Sequence, residues 1–176
     1  MKHRLLVVVL GVLSLFPLSA QAPTPVAEPE LFGLLNGSSP EPGLLAAGQP
    51  TAEDLAEVAA AGYKTVLDLR APKEDRGFDE PALVRELGLT YVNLPFVSAE
   101  LDTATLDRFR ELLRTAERPV LVHCGTSNRV GAALFAHWVV DAKLNLPSAR
   151  ERAAAAGLKS PELAAKVEGL VVATPP

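Results

Sequence analysis

The sequence predicts an α/β fold: a mainly parallel central sheet of about four or five strands, with helices on both faces. Three observations predict it. Short apolar runs alternate with helix-period segments across residues 43–170. Gly, Pro and small polar residues punctuate almost every junction, as strand and helix stops do. Single helices separating single strands require crossover connections, which favour parallel pairing. At 176 residues and 48% hydrophobic content, the chain can bury a real core.

The elements follow in order. Leu44-Leu45-Ala46-Ala47 reads as a weak strand. Thr51 caps a helix running to about Ala61, with Asp54 as its capping-box partner and Gly62 as its stop. Residues 64–69 form a strand, and 71–79 a charged loop containing Gly77. A short helix over 80–87 closes at Gly88, and a strand over 89–94 ends at Pro95. After a loop at 96–101, Asp102 or Thr103 caps a helix that puts Leu106, Phe109 and Leu113 on one face. Residues 119–123 are the next strand and 128–141 the next helix; helices near 148–156 and 161–169 finish the domain.

The ends read differently. Lys2, His3 and Arg4 precede an apolar stretch, then Ser19-Ala20-Gln21-Ala22, the pattern of an export signal over 1–22. A retained anchor is the alternative, but the stretch is short of the ~20 residues a span needs. Export to the periplasm or medium is therefore expected, with no stable membrane span after cleavage. Residues 23–42 read as a Pro-rich linker with Leu31-Phe32-Gly33-Leu34-Leu35 as an early docking turn, and 171–176 as a tail. A net charge of −4 argues against nucleic acid or an anionic membrane as partner. Three His and one Cys give no metal-ligand cluster, and no metal or cofactor is expected.

The chemistry sits in Pro119 through Gly131. An apolar run ends in His123-Cys124, a turn of Gly125, Thr126, Ser127 and Asn128 follows, and Arg129 opens an Ala-rich segment. That is strand, loop, helix, with a thiol at the strand's carboxyl end, where open α/β sheets bind ligands. Backbone N–H groups from Gly125 to Arg129, with the helix's positive end, form a nest for an oxyanion and stabilise a thiolate. Arg129 offers a planar fork to two phosphate oxygens. His123 and Arg70, the latter at another strand end, are supporting candidates, and Glu74 lies near the mouth. His137, on the following helix, reads as a core-edge residue rather than a catalytic one.

His123-Cys124, a short loop and Arg129 resemble the phosphatase loop of cysteine-dependent tyrosine and dual-specificity phosphatases. The chain is most similar to the bacterial beta-lactamase-hydrolase-like phosphatase domains (DUF442). Gly48-Gln49-Pro50-Thr51, Ala61-Gly62-Tyr63-Lys64-Thr65-Val66, Asp68-Leu69-Arg70 and Asn128-Arg129-Val130-Gly131-Ala132 carry the likeness. The resemblance implies in-line attack by Cys124 on a phosphorylated substrate, a cysteinyl-phosphate, and its hydrolysis. It also implies a carboxylic general acid on the loop before the helix, where Glu100 and Asp102 stand; Asp102 is equally placed as a helix cap. The loop is one residue shorter than in the wider superfamily, a shortening the bacterial group shares. Ser127 stands where relatives usually have Gly, and Val130 where many tyrosine phosphatases have Ser or Thr; Thr126 or Ser127 could substitute for that hydroxyl. If position 127 needs a left-handed backbone, Ser costs about 1 kcal/mol, unless Gly125 absorbs the turn. Two other readings compete: a rhodanese-like sulfurtransferase and a non-catalytic phosphate-binding module.

Overall fold

The computed structural model describes residues 31–173. The expected leader and the first part of the expected linker lie outside the described residues, as do the last three residues of the tail. Five strands form one sheet: β1 (Ser38–Glu41), β2 (Leu44–Ala47), β3 (Thr65–Asp68), β4 (Thr90–Asn93) and β5 (Val120–His123). Their order is β1-β2-β5-β3-β4, with β1 antiparallel to β2 and every other pair parallel. Six helices accompany them: α1 (Ala52–Ala60), α2 (Glu80–Glu86), α3 (Thr103–Thr115), α4 (Asn128–Val140), α5 (Leu146–Ala155) and α6 (Pro161–Ala173).

Local chemistry sets the boundaries. Thr51 and Asp54 form the expected reciprocal capping box at the start of α1. Asp102 rather than Thr103 caps α3, Asp79 caps α2 and Asn145 caps α5. Two expected limits are corrected. The linker does not reach residue 42, because Ser38–Glu41 turns back at Gly43 and pairs with β2. The tail does not begin at 171, because the apolar Leu163, Val167 and Val171 keep α6 docked to the core.

The sheet has helices on both faces. Leu44, Ala46, Leu67, Val120 and Val122 face a cluster built with α3, α4, α5 and α6. Leu45, Ala47, Val66 and Leu121 face the smaller cluster of α1 and α2. The alternation is the two-residue period of a strand, and it decides the site: Cys124 belongs to the first face, while His123 takes the parity of Leu121. Among the described residues, no helix is long and apolar enough to cross a membrane.

Candidate active site

Strand register assembles the site. His123 on the central strand β5 stands opposite Ala47 of β2 and Asp68 of β3, and Asp68 stands opposite Asn93 of β4. The chain therefore leaves β2, β5 and β3 at one level, and Gln49, Cys124 and Arg70 come off neighbouring strand ends.

Cys124 is 1% exposed, and its N–H donates to the Ala47 carbonyl at 3.2 Å. The carbonyls after it all find partners outside the turn. Gly125 O accepts from Gln49 N at 3.2 Å, Thr126 O from the Asn36 side-chain amide at 3.1 Å, and Ser127 O from Gly131 N at 2.9 Å. In a planar trans peptide the N–H points opposite to the C=O. The N–H of Thr126 is thus turned away from Gln49, and that of Asn128 stands at the positive end of α4. The left-handed turn falls on Ser127, at φ 67°, rather than on Gly125. The Ser127 hydroxyl does not face the sulfur: it donates to Ala156 O at 2.8 Å, with the residue fully buried. Asn128 uses its side-chain oxygen on the N–H groups of Lys159 and Ser160, at 2.7 and 3.1 Å. The side chains of Ser127 and Asn128 therefore anchor the loop to the segment between α5 and α6.

Arg129 and Glu74 form a bidentate pair, Nη1 to Oε1 at 2.6 Å and Nη2 to Oε2 at 2.8 Å. Nη1 also reaches Phe96 O at 3.3 Å. A guanidinium has five N–H groups. These contacts use the end of the fork, and the edge formed by Nε–H and the second Nη2 hydrogen reaches no oxygen among the described residues. That edge lies over the loop: a Cβ added at Gly125 would come 3.6 Å from Nη2. The pair is locked in charge. Hydrogen bonding to Arg129, helped by the N–H of Ala71, holds the Glu74 carboxyl at about 2. Glu74 raises the Arg129 guanidinium in turn, and the nearby Cys124 sulfur adds to the rise.

Arg70, 8% exposed, supports this pair rather than the loop itself. Its Nε donates to Glu74 Oε2 at 3.3 Å, its Nη2 to Asp75 O at 2.6 Å, and its Nη1 to the side-chain oxygen of Gln49. Gln49 donates onward to Glu80 Oε2 at 2.8 Å. Glu80, Asp68 and His123 are fully buried on the sheet face opposite Cys124. Glu80 Oε1 lies 2.7 Å from His123 Nε2, at angles poor for a hydrogen bond, and His123 Nδ1 has no partner among the described residues. Asp68 accepts from Arg76 Nη2 at 2.5 Å, Tyr91 Oη at 2.7 Å and Arg70 N at 2.7 Å. The ligand atoms of Asp68, Glu80 and His123 lie within 4.8 Å of one another, a spacing that suits a metal ion. The Arg76 guanidinium, against Asp68 and 3.7 Å from Glu80, already supplies the cation there.

The two acid candidates occupy different settings. Glu100 is exposed at the end of a 3-10 turn, Ser98–Glu100, which Lys166 holds through the carbonyls of Ser98 and Ala99 at 3.2 and 2.6 Å. Asp102 accepts from the Thr105 N–H at 2.8 Å and hydroxyl at 2.7 Å, which lowers its carboxyl from the usual range. In this arrangement it is a helix cap. Sequence reasoning placed Arg70 and His123 near the site but missed Gln49, Asp68 and Glu80 as parts of it. The available signal was an Asp and a His, each closing an apolar strand, which must be paired if buried.

The chain resembles several known proteins, among them phosphatases. A beta-lactamase hydrolase-like protein of Xylella fastidiosa (strain Temecula1) is 28% identical over 105 residues, taking in 57% of this chain and 24% of that protein. The chain thus spans about a quarter of the length of the curated relatives it matches. A structure of a candidate phosphatase (DUF442) from Shewanella putrefaciens CN-32 superposes with a TM-score of 0.67 at 20% identity, over 81% of this chain and 95% of that one. P. aeruginosa TpbA in complex with pTyr gives 0.63 at 23%, over 79% and 90%. At these identities the structural likeness is one of fold. The family itself is set by a match over residues 27–167 to the model described as DSP-PTPase phosphatase fused to NAD+ kinase, and the chain belongs to that family of DSP/PTP-type phosphatases.

Proposed function

We propose that this domain hydrolyses phosphotyrosine-like or other small phosphate monoesters through a cysteinyl-phosphate, with no metal ion required. The observation that carries the reading is the edge of Arg129 that meets no oxygen among the described residues, held beside the N–H groups of the loop that joins it to Cys124. The tetrahedral anion binds that edge and those N–H groups, which supply the positive field a metal provides elsewhere. The Cys124 thiolate attacks phosphorus in line. The S–P bond forms as the bond to the leaving oxygen breaks, and that oxygen takes a proton from a carboxylic acid or from water. Water then attacks phosphorus, the S–P bond breaks, and inorganic phosphate leaves. Glu100 and Asp102 are the candidate acids, and Asp102 acts only by leaving its cap. Aryl phosphates, with good leaving groups, depend least on this proton.

The test is hydrolysis of para-nitrophenyl phosphate with excess chelator. Wild-type turnover with Cys124→Ser inactive, and Arg129→Lys or Arg129→Ala reduced at least about 100-fold, is the expected result. Equal rates in wild type and Cys124→Ser would refute it. The basic, apolar, small-residue start of the sequence supports export, which fractionation of the expressed full chain checks.

A further inference from the structure

We propose that Gln49 is a positioning residue that sets which edge of Arg129 faces the anion, acting through Arg70 and Glu74; this rests on the reading of Arg129 just given. Gln49 touches both halves of the site. Its backbone N–H holds Gly125 O, and its side chain bridges Glu80 and Arg70. An amide of this size donates to a carboxylate at one end and accepts from a guanidinium at the other. The Glu80 end is fixed: the carboxylate is fully buried between His123 and Arg76. Arg70 is thereby pinned, and its Nε meets Glu74.

Glu74 needs that pinning. Its side chain is 33% exposed, on a loop rather than a helix or strand. Besides Arg129, only Arg70 and the Ala71 N–H, at 2.7 Å, hold it among the described residues. Glu74 takes the end of the Arg129 fork, so the side edge is left to the loop. Had Glu74 turned, the fork would keep only the longer bond from Nη1 to Phe96 O among the described residues, and its parallel N–H groups would no longer be held to meet two oxygens of one anion. A residue of β2's end therefore controls the anion-facing edge without reaching the anion.

The probe is inorganic tungstate, titrated calorimetrically into the full chain, because it reads the anion edge without turnover. Gln49→Met keeps the volume and removes the hydrogen bonds to Glu80 and Arg70, along with the local one to Pro50 O. It is expected to weaken tungstate binding about fivefold or more, as is Glu74→Gln. If Gln49 acts through Glu74, the double variant binds no more than about twofold more weakly than the worse single variant. A Gln49→Met protein within about twofold of wild type, or losses that multiply in the double variant, overturns the proposal, as does a wild type that binds no tungstate. Should Gln49→Met not fold, Arg70→Lys replaces it in the same cycle, since lysine keeps the charge but lacks the fork. Tungstate binding by a wild type that hydrolyses no aryl phosphate refutes the hydrolytic reading alone and leaves Gln49 to be judged by the cycle.

Discussion

The two faces of β5 solve opposite problems one residue apart. Cys124 points into an apolar cluster, and among the described residues Arg129 is the cation beside it. His123 points to the other face, beside Asp68 and Glu80, where Arg76 pairs with Asp68. The difference teaches where reactivity comes from in such a fold. A sulfur backed by hydrocarbon responds strongly to a few well-aimed dipoles, because nothing else nearby screens them. The paired charges on the far side make the scaffold rigid enough to aim them. If that division holds, the far face fails by charge when mutated, and the near face fails by shape.

Asp68→Ala is the largest test. Asp68 is fully buried and answers Arg76, the Tyr91 hydroxyl and the Arg70 N–H. Removing it leaves a guanidinium 9% exposed without that partner. The expected loss is about 3–5 kcal/mol of stability by urea denaturation. Asp68→Asn keeps the shape but not the charge, and falls between this variant and wild type. A loss in Asp68→Ala under about 1 kcal/mol breaks the comparison, since the far face would then owe little to its ion pairs.

Gly131→Ala probes the near face. A Cβ there would stand 2.6 Å from Leu158 N and 2.7 Å from Ala153 O, both backbone atoms that cannot swing aside. The helix α4 would be pushed off α5, and with it the loop that α4 anchors. Overpacking of this kind costs about 1–3 kcal/mol. Phosphatase activity should fall further than the loss of folded protein explains, because the displaced end carries Arg129.

Most of the scaffold is legible in the sequence, and so is the candidate pair of Cys124 and Arg129. The apolar runs ending at Ala47, Asp68 and His123 announce parallel strands, and the Thr51–Asp54 box announces α1. Cys124 and Arg129 are read from one contiguous stretch, because the loop that joins them is local. Glu74, Gln49 and Glu80 are different: each joins the site through a partner 55, 21 or 31 residues away. Strand register alone brings those partners together, and no spacing rule encodes it. The Ser38–Glu41 strand was hidden for another reason. It sits at the sheet edge, lies in a Pro- and Gly-rich segment, and is held by its pairing with β2 rather than by its own apolar pattern.

Ser127 carries a smaller effect with a sharper ordering. Its left-handed φ costs a non-glycine residue about 1 kcal/mol. Its hydroxyl offsets this by satisfying Ala156 O inside the core. Ser127→Ala keeps the strain and loses the bond, so it should destabilise by about 1–2 kcal/mol. Ser127→Gly loses the bond but relieves the strain, and should lose less. Thermal melts that rank glycine below alanine would show that the left-handed backbone at 127 holds no strain for glycine to relieve.

The smallest expected effect lies at the far end of α4, and it separates solvated ion pairs from the buried ones beside β5. His137 lies 3.6 Å from Glu41 and 3.1 Å from Asp141, with its side chain 19% exposed. The Glu41 carboxylate beside it, then its hydrogen bond with Asp141, raises its pKa above the ordinary histidine value despite burial. A raised folded-state value means the folded protein holds the proton more tightly than the unfolded chain. The stabilisation is therefore complete below the unfolded value of about 6.5 and lost as pH rises through the folded one. Glu41 is lowered, by His137 first, and Asp141 is lowered, by Arg110 first, so their shares run the other way and are lost only in acid. Melting temperature should thus decline from weakly acidic pH into the alkaline range by an amount worth less than about 1 kcal/mol. His137→Gln should flatten that slope and leave the rest of the profile in place. A slope unchanged in His137→Gln would assign the titration to another group and bring the buried side of β5 back into question.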